Sequence, residues 1–279
     1  METGIKEVHR PASLEEALEL LARTDVPAVP LYMAPRPAEG LVRATAVVDV
    51  SHLGLDGWHV DDAGITLGAA ATLEEVLQAP IGGTPAGALI HEACRTTAHA
   101  GLRAVACVGG ALLSGEASDF LLALVALDAV CTLRGPGRRE APPAGLARRP
   151  TELLVEVRVP FARRPLGAAL ERVARTPRDR SIVAAAAAIE MDGETCAQAR
   201  LALSGAGTEA MRLPAAEALL EGQRLTPQRI AEAAAPVEAA AGHPGDHLGS
   251  AEYRRAVAGT LARRALAAAW DRAARAARR

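Results

Sequence analysis

The run Val108-Gly109-Gly110-Ala111-Leu112-Leu113-Ser114-Gly115-Glu116-Ala117-Ser118-Asp119-Phe120 constrains this chain more than any other, because it places a glycine pair and a carboxylate ahead of an apolar helix. Glycines permit positive φ and close backbone approach, so successive N–H groups can face an anion while Asp119 accepts from sugar hydroxyls. That arrangement suits a phosphate-bearing ligand. A tight turn joining two elements is the competing reading, and a glycine pair alone does not separate the two.

Half of the residues are apolar but only 2% are aromatic, so the core must be assembled from Ala, Leu and Val, and stacked-base platforms are not expected. Lys6 is the only lysine, and the other basic residues are arginines, as a GC-rich coding bias produces. With a formal net charge of −2 the chain has no broad basic field for nucleic acid. The Arg263 to Arg279 end is locally basic and reads as a solvated helix terminus, where cations are favourable.

The opening residues Met1 to Glu7 lack a basic-then-apolar leader, and the apolar stretches Phe120–Leu127 and Ile182–Ile189 fall short of the ~20 residues a membrane span needs. A cytoplasmic protein without membrane insertion is expected. Cys94, Cys107, Cys131 and Cys196 form no Cys-x-x-Cys pair, which argues against a zinc ribbon or an iron–sulfur cluster housed in this chain. Buried, reduced thiols are the expectation.

Ser13 with Glu16, and Thr72 with Glu75, carry the capping-box signature of helix starts, the first followed by an apolar stripe of Leu14, Leu18 and Leu21. Strands are predicted at Val47–Val50, after a Pro-rich loop, and at Ile65–Ala69. Helices follow at Ala86–His99 and Phe120–Asp128, and a strand at Ala129–Arg134. Gly135–Pro150, rich in Pro, Gly and Arg, reads as a surface loop. Leu153–Pro160 alternates Val155, Val157 and Val159 against Glu156 and Arg158, as a strand with one wet side does.

Phe161 to Leu166 is the best candidate domain boundary. Beyond it Ala168–Ala174, Ser181–Met191 and Arg200–Ser204 read as strands, the Ala-rich middle one ambiguous with helix. Helices are predicted at Pro214–Glu221 and Pro227–Ala240. A last one starts at Ser250, with Tyr253, Val257, Leu261 and Ala265 as its buried stripe. His243, Asp246 and His247 have a metal-like spacing only if helical, and Pro244-Gly245 makes a loop the expected state. His91 and His99 are read as core or surface histidines, and Ser114 lacks the context of a nucleophile elbow.

Several phrases in order resemble the FAD-binding medium subunit of the molybdenum hydroxylases, the group that includes carbon monoxide dehydrogenase and bacterial xanthine dehydrogenase. They are Leu102-Arg103, Val108-Gly109-Gly110, Ala117-Ser118-Asp119, Leu127-Asp128-Ala129, Glu152-Leu153-Leu154 before Val159-Pro160, and Arg175 with Asp179. The second half adds Ser204-Gly205-Ala206-Gly207, Pro214, Glu217, Leu220-Glu221-Gly222, Asp246 and Ser250 to Arg255.

The resemblance implies an α+β fold in three parts: an N-terminal α/β lobe over 1–52 and a middle α+β lobe over 53–164, together binding FAD, then a flavoprotein C-terminal domain over 165–279 with a three-stranded antiparallel sheet and helices. It implies FAD as cofactor, with Val108, Gly109, Gly110, Ser114, Asp119, Arg175 and Asp179 as the binding residues. An iron–sulfur small subunit and a molybdenum-cofactor large subunit are the implied partners. This chain would be an oxidoreductase subunit that relays electrons between the partner's clusters and an external acceptor, with no substrate chemistry of its own and no metal site. The sequence departs from the family where an Ala-Gly-Gly-Thr loop belongs: it has Leu31-Tyr32-Met33-Ala34-Pro35, and Ala111 stands where Asn follows Gly-Gly. A flavin-free paralogue that keeps the fold to assemble partner subunits is the alternative those departures raise.

Overall fold

Ser13 opens the first helix as its short hydroxyl side chain allows, accepting from the Glu16 N–H at 3.1 Å, while Glu16 reaches back to the Ala12 N–H at 2.7 Å. The computed structural model describes residues 4–35, 44–115, 117–177, 179–207 and 209–278, so residues 36–43 of the Pro-rich stretch ahead of Val47 lie outside it. In chain order β1 (Glu7–His9), α1 (Leu14–Ala22), β2 (Ala28–Leu31) and β3 (Ala46–Asp49) come first. They are followed by β4 (Trp58–Asp61), β5 (Gly64–Gly68), α2 (Leu73–Gln78), α3 (Pro85–Thr97), α4 (Ala100–Arg103), α5 (Val108–Leu113) and α6 (Asp119–Ala126). Then come β6 (Val130–Arg134), β7 (Arg138–Ala141), β8 (Leu153–Pro160), β9 (Leu166–Val173), β10 (Val183–Asp192), β11 (Thr195–Ser204) and β12 (Met211–Arg212). The chain closes with α7 (Pro214–Ala218), α8 (Pro227–Ala240), β13 (Gly245–Asp246), β14 (Gly249–Ser250) and α9 (Ala251–Ala276).

These elements gather into two units, one of Met1–Ala79, Ala100–Glu116 and Val130–Arg158, the other of Pro80–His99, Ala117–Ala129 and Val159–Arg279. In the first, β3 lies between β1 and β2 in a parallel sheet. Leu14, Leu18 and Leu21 of α1 pack with Val48, Val50, Leu153 and the ring of Tyr32. A second sheet has the order β4-β5-β8-β6-β7, with β6 antiparallel to both β7 and β8. The capping box of α2 is complete: Thr72 accepts from Glu75 N–H and Glu75 accepts from Thr72 N–H.

Strand β7 corrects the surface loop expected over Gly135–Pro150. It is an edge strand of Arg138, Arg139, Glu140 and Ala141, so apolar alternation cannot announce it, and charged side chains are what an open sheet edge tolerates. Arg139 ties it down by forking onto Glu152, at 3.2 and 2.7 Å.

The second unit is built on the antiparallel order β12-β11-β10-β9, which adds a two-residue fourth strand to the three expected. The Ala-rich segment is the strand β10, buried from Val183 to Met191. Val183, Ala185, Ala187 and Ile189 face α8 and α9, while α6 also packs on β10, so the strand is covered on both faces. Small side chains let both helical layers approach. Burial on both faces, not propensity, makes an alanine run a strand here.

In α9 the inward stripe differs from expectation. Leu261 and Ala265 are buried, but Tyr253 is 42% exposed and Arg254 is only 3% exposed. The guanidinium turns inward because carbonyls await it: Ile182 O at 2.5 Å, Gly205 O at 2.9 Å and Gly249 O at 3.3 Å, with Asp246 Oδ1 at 2.6 Å. Asp246 sits in the β13–β14 hairpin, and Arg254 holds its carboxyl below the usual carboxylate range. His243 in turn accepts from the Gly245 N–H, so the loop reading of this segment holds. Among the described residues no group of His, Cys, Asp and Glu is arranged to hold a metal ion, no helix is long and apolar enough to cross a membrane, and the four cysteines are buried and outside any disulfide.

Candidate functional site

Gly109 and Gly110 lie inside the first turn of the short helix α5, capped by Cys107, and neither has a positive φ. Of the two things glycine permits, positive φ is not used here and close backbone approach is: what these positions need is the absence of a side chain. A Cβ on Gly110 would stand 2.1 Å from the Met33 carbonyl oxygen, and one on Gly109 would stand 2.6 Å from the Tyr32 ring. The glycine pair lets α5 close onto the segment that follows β2.

That segment reaches back toward α5. Met33 O accepts from the Cys107 N–H at 2.7 Å. Tyr32 enters the apolar cluster of the first unit and donates its hydroxyl to Leu154 O on β8 at 2.5 Å. Burial pushes the phenol above its ordinary range, so it remains a neutral donor. On its other side α5 is clamped by the chain after β5, since Val108 N–H donates to Ala71 O (2.9 Å) and Gly109 N–H to Ala69 O (2.7 Å). Gly110 N–H points to Cys107 Sγ at 3.4 Å, and burial raises the pKa of that thiol, keeping it protonated. Ser114 ends α5, with its N–H on Gly110 O at 3.1 Å.

The remaining expected site residues belong to the second unit. Asp119 is the first residue of α6, and Ser118, not Asp119, is the cap: its hydroxyl accepts from Leu121 N–H at 3.1 Å. Asp119 is 3% exposed. Its Oδ1 accepts from Ser181 Oγ at 2.6 Å, and Arg172 Nε lies 3.0 Å from Oδ2. That nitrogen aims its hydrogen at Ser181 Oγ, 2.8 Å away, so its attraction to Asp119 is Coulombic rather than a hydrogen bond. Arg172 also donates to Asp179 O and Pro177 O, which fixes the β9–β10 connection. Arg175 and Asp179 on that connection form a long, exposed pair at 4.0 Å, a geometry that contributes little.

An FAD diphosphate needs main-chain N–H groups turned outward together, commonly through a left-handed residue beside a right-handed one. The first segment, Tyr32 to Pro35, and the second, Cys107 to Ser114, contain no positive φ, and Pro35 has no N–H. The N–H groups of Cys107, Val108, Gly109, Gly110 and Ala111 all have acceptors inside the protein. Ala111, fully buried, offers no polar side chain. The second segment therefore does not offer the diphosphate a cradle of free donors. Sequence reasoning located both segments but missed Cys107, Ala69 and Ala71, whose roles are played by the sulfur and by main-chain atoms.

Residues 3–162 match the family described as FAD binding domain in molybdopterin dehydrogenase, and residues 168–269 match the CO dehydrogenase flavoprotein C-terminal domain. The chain is 28% identical to the carbon monoxide dehydrogenase medium chain of Hydrogenophaga pseudoflava, over 96% of this chain and 98% of that one. It is 35% identical to the 6-hydroxypseudooxynicotine dehydrogenase complex subunit alpha of Paenarthrobacter nicotinovorans, over 66% of each. The solved carbon monoxide dehydrogenase of H. pseudoflava that lacks the Mo-pyranopterin moiety superimposes with a TM-score of 0.87 at 28% identity, covering 98% of this chain and 99% of that one. Both domains occur in the order that the sequence phrases imply, and FAD is the cofactor of the domain that spans residues 3–162. The chain belongs to the FAD-binding medium-subunit family of the molybdenum hydroxylases.

Proposed function

We propose that this chain is the medium, flavoprotein-type subunit of a molybdenum hydroxylase-type oxidoreductase complex, partnered by an iron–sulfur small subunit and a molybdenum-cofactor large subunit. The observation that carries it is the match of both medium-subunit domains along nearly the whole chain, with the fold to go with them. A flavin supplies exchange of electrons singly or in pairs, the chemistry needed between a partner's clusters and an external acceptor. On this reading the chain relays electrons without substrate chemistry of its own, and substrate choice falls to the molybdenum subunit. Val108, Gly109, Gly110 and Ser114, with Asp119, Arg175 and Asp179 from the second unit, remain the proposed flavin residues on the resemblance alone. The same holds for the lobe boundaries at 52 and 164. A cytoplasmic setting is proposed from the four cysteines outside any disulfide, a state that reducing compartments preserve.

A second reading, a fold kept to assemble partners without flavin, is favoured by one observation: Tyr32 is fastened to Leu154 and to the face of Gly109. Co-expression with the two partner-type reading frames tests the main reading. Co-elution of the three chains on gel filtration, with iron and molybdenum in the same peak, is the expected result. A chain that elutes alone while its partners pair without it would overturn it.

A further inference from the structure

We infer that this medium subunit holds FAD loosely, as a group that exchanges with solution, because the two segments that would grip the diphosphate grip each other instead. The inference rests on the medium-subunit reading and concerns only residues of the first unit.

The two segments are joined by a main-chain bond from Cys107 N–H to Met33 O and by close contact of Gly110 with the Met33 carbonyl. For Gly109 N–H to donate to a phosphate it must leave Ala69 O, and for Val108 N–H it must leave Ala71 O. A ligand that displaces these bonds gains one acceptor and orphans another, so the net return from each is small. Moving the segment after β2 away from α5 to make room between the two would pull the Tyr32 hydroxyl off Leu154 O and its ring out of the apolar cluster. The glycine pair is thus fully accounted for by packing. The N–H groups of Val108, Gly109 and Gly110, each held by an internal acceptor, withhold three charge-assisted hydrogen bonds from a diphosphate, which corresponds to roughly a thousand- to a million-fold in affinity.

Two measurements on the co-expressed complex, or on the isolated chain where no complex forms, decide the matter. FAD is released by acid and quantified by fluorescence before and after prolonged dialysis, and the dialysed protein is then titrated with FAD, with inorganic pyrophosphate as competitor at constant ionic strength. The expected result is a flavin content well below one per chain after dialysis, saturable rebinding at micromolar FAD or above, and no competition by millimolar pyrophosphate. One FAD per chain surviving dialysis would overturn the inference, and so would pyrophosphate competing with FAD. Absence of rebinding at millimolar FAD would also overturn it, in favour of a flavin-free scaffold. Whether the three chains co-elute is read separately, so loss of the medium-subunit reading is not confused with loss of this one.

Discussion

The hydroxyl of Tyr32 donates to the main-chain oxygen of Leu154 at 2.5 Å, spanning 122 residues of sequence. Removing only the oxygen tests what that bond is worth. Tyr32→Phe keeps the ring against Gly109 but leaves a carbonyl without its donor, so a loss of about 1–2 kcal/mol in folding stability is expected. Urea denaturation followed by circular dichroism would show it as a lower midpoint with an unchanged slope.

Asp128 follows the C-cap of α6 with a φ of +50°, a conformation an L side chain adopts at a cost, and its carboxylate accepts from both Arg200 and Arg212. Arg200 continues to Glu190 at 3.0 Å, and Arg212 forks onto Glu217 at 2.7 and 2.8 Å. Asp128→Gly relieves the backbone but deletes the bridge. If backbone strain dominates, the variant gains stability; we expect instead a loss of about 1–3 kcal/mol, because two guanidiniums lose a shared partner. Thermal melts of the wild type, Asp128→Gly and Asp128→Asn rank the two effects.

Arg254 is the buried hub of the second unit's C-terminal hairpin. Arg254→Ala abandons the carbonyls of Ile182 and Gly205 and the Asp246 carboxylate together, for an expected cost of about 3–5 kcal/mol. Arg254→Lys keeps the charge but not the fork, so it should fall between the two. Limited proteolysis around Gly245–Gly249 reads local loosening that a melt of the whole chain averages away.

Glu152 carries the clearest acid limb. Its hydrogen bonds from Arg139 hold the carboxyl at about 2, down from 4.5, so the folded state binds its proton less readily than the unfolded chain. The stabilisation is fully present above pH 4.5 and is lost as the pH falls through about 2. Wild type is expected to lose roughly 2–3 kcal/mol more than Glu152→Gln between pH 5 and pH 2. Parallel acid titrations followed by tryptophan fluorescence would check this, and coincident curves would remove Glu152 from the acid response.

Much of this architecture is legible in residues that act locally. Ser13, Thr72 and Ser250 announce helix starts because a cap is a contact within three residues, and Val155, Val157 and Val159 announce a half-wet strand because their period is fixed by the pleat. What escapes is set by distant partners. Strand β7 is held by pairing with β6 and by Glu152, the inward turn of Arg254 by carbonyls as far back as Ile182, and the strand character of the alanines in β10 by helices on both faces. The candidate site divides the same way. Position of the glycine pair is readable from sequence; that the N–H groups of Val108 and Gly109 point at Ala71 and Ala69 is not, because main-chain acceptors leave no mark in side-chain identity.

The contact of Gly110 with the Met33 carbonyl bears on how such chains are recognised at all. Selection against a clash preserves a glycine there for as long as the two strands of chain touch, whatever becomes of the nucleotide. A fingerprint scored on that pair counts a surviving packing contact of the scaffold as though it were a surviving appetite for cofactor. The more telling positions are those free to drift once the ligand's grip relaxes, and here they are Tyr32, Pro35 and Ala111.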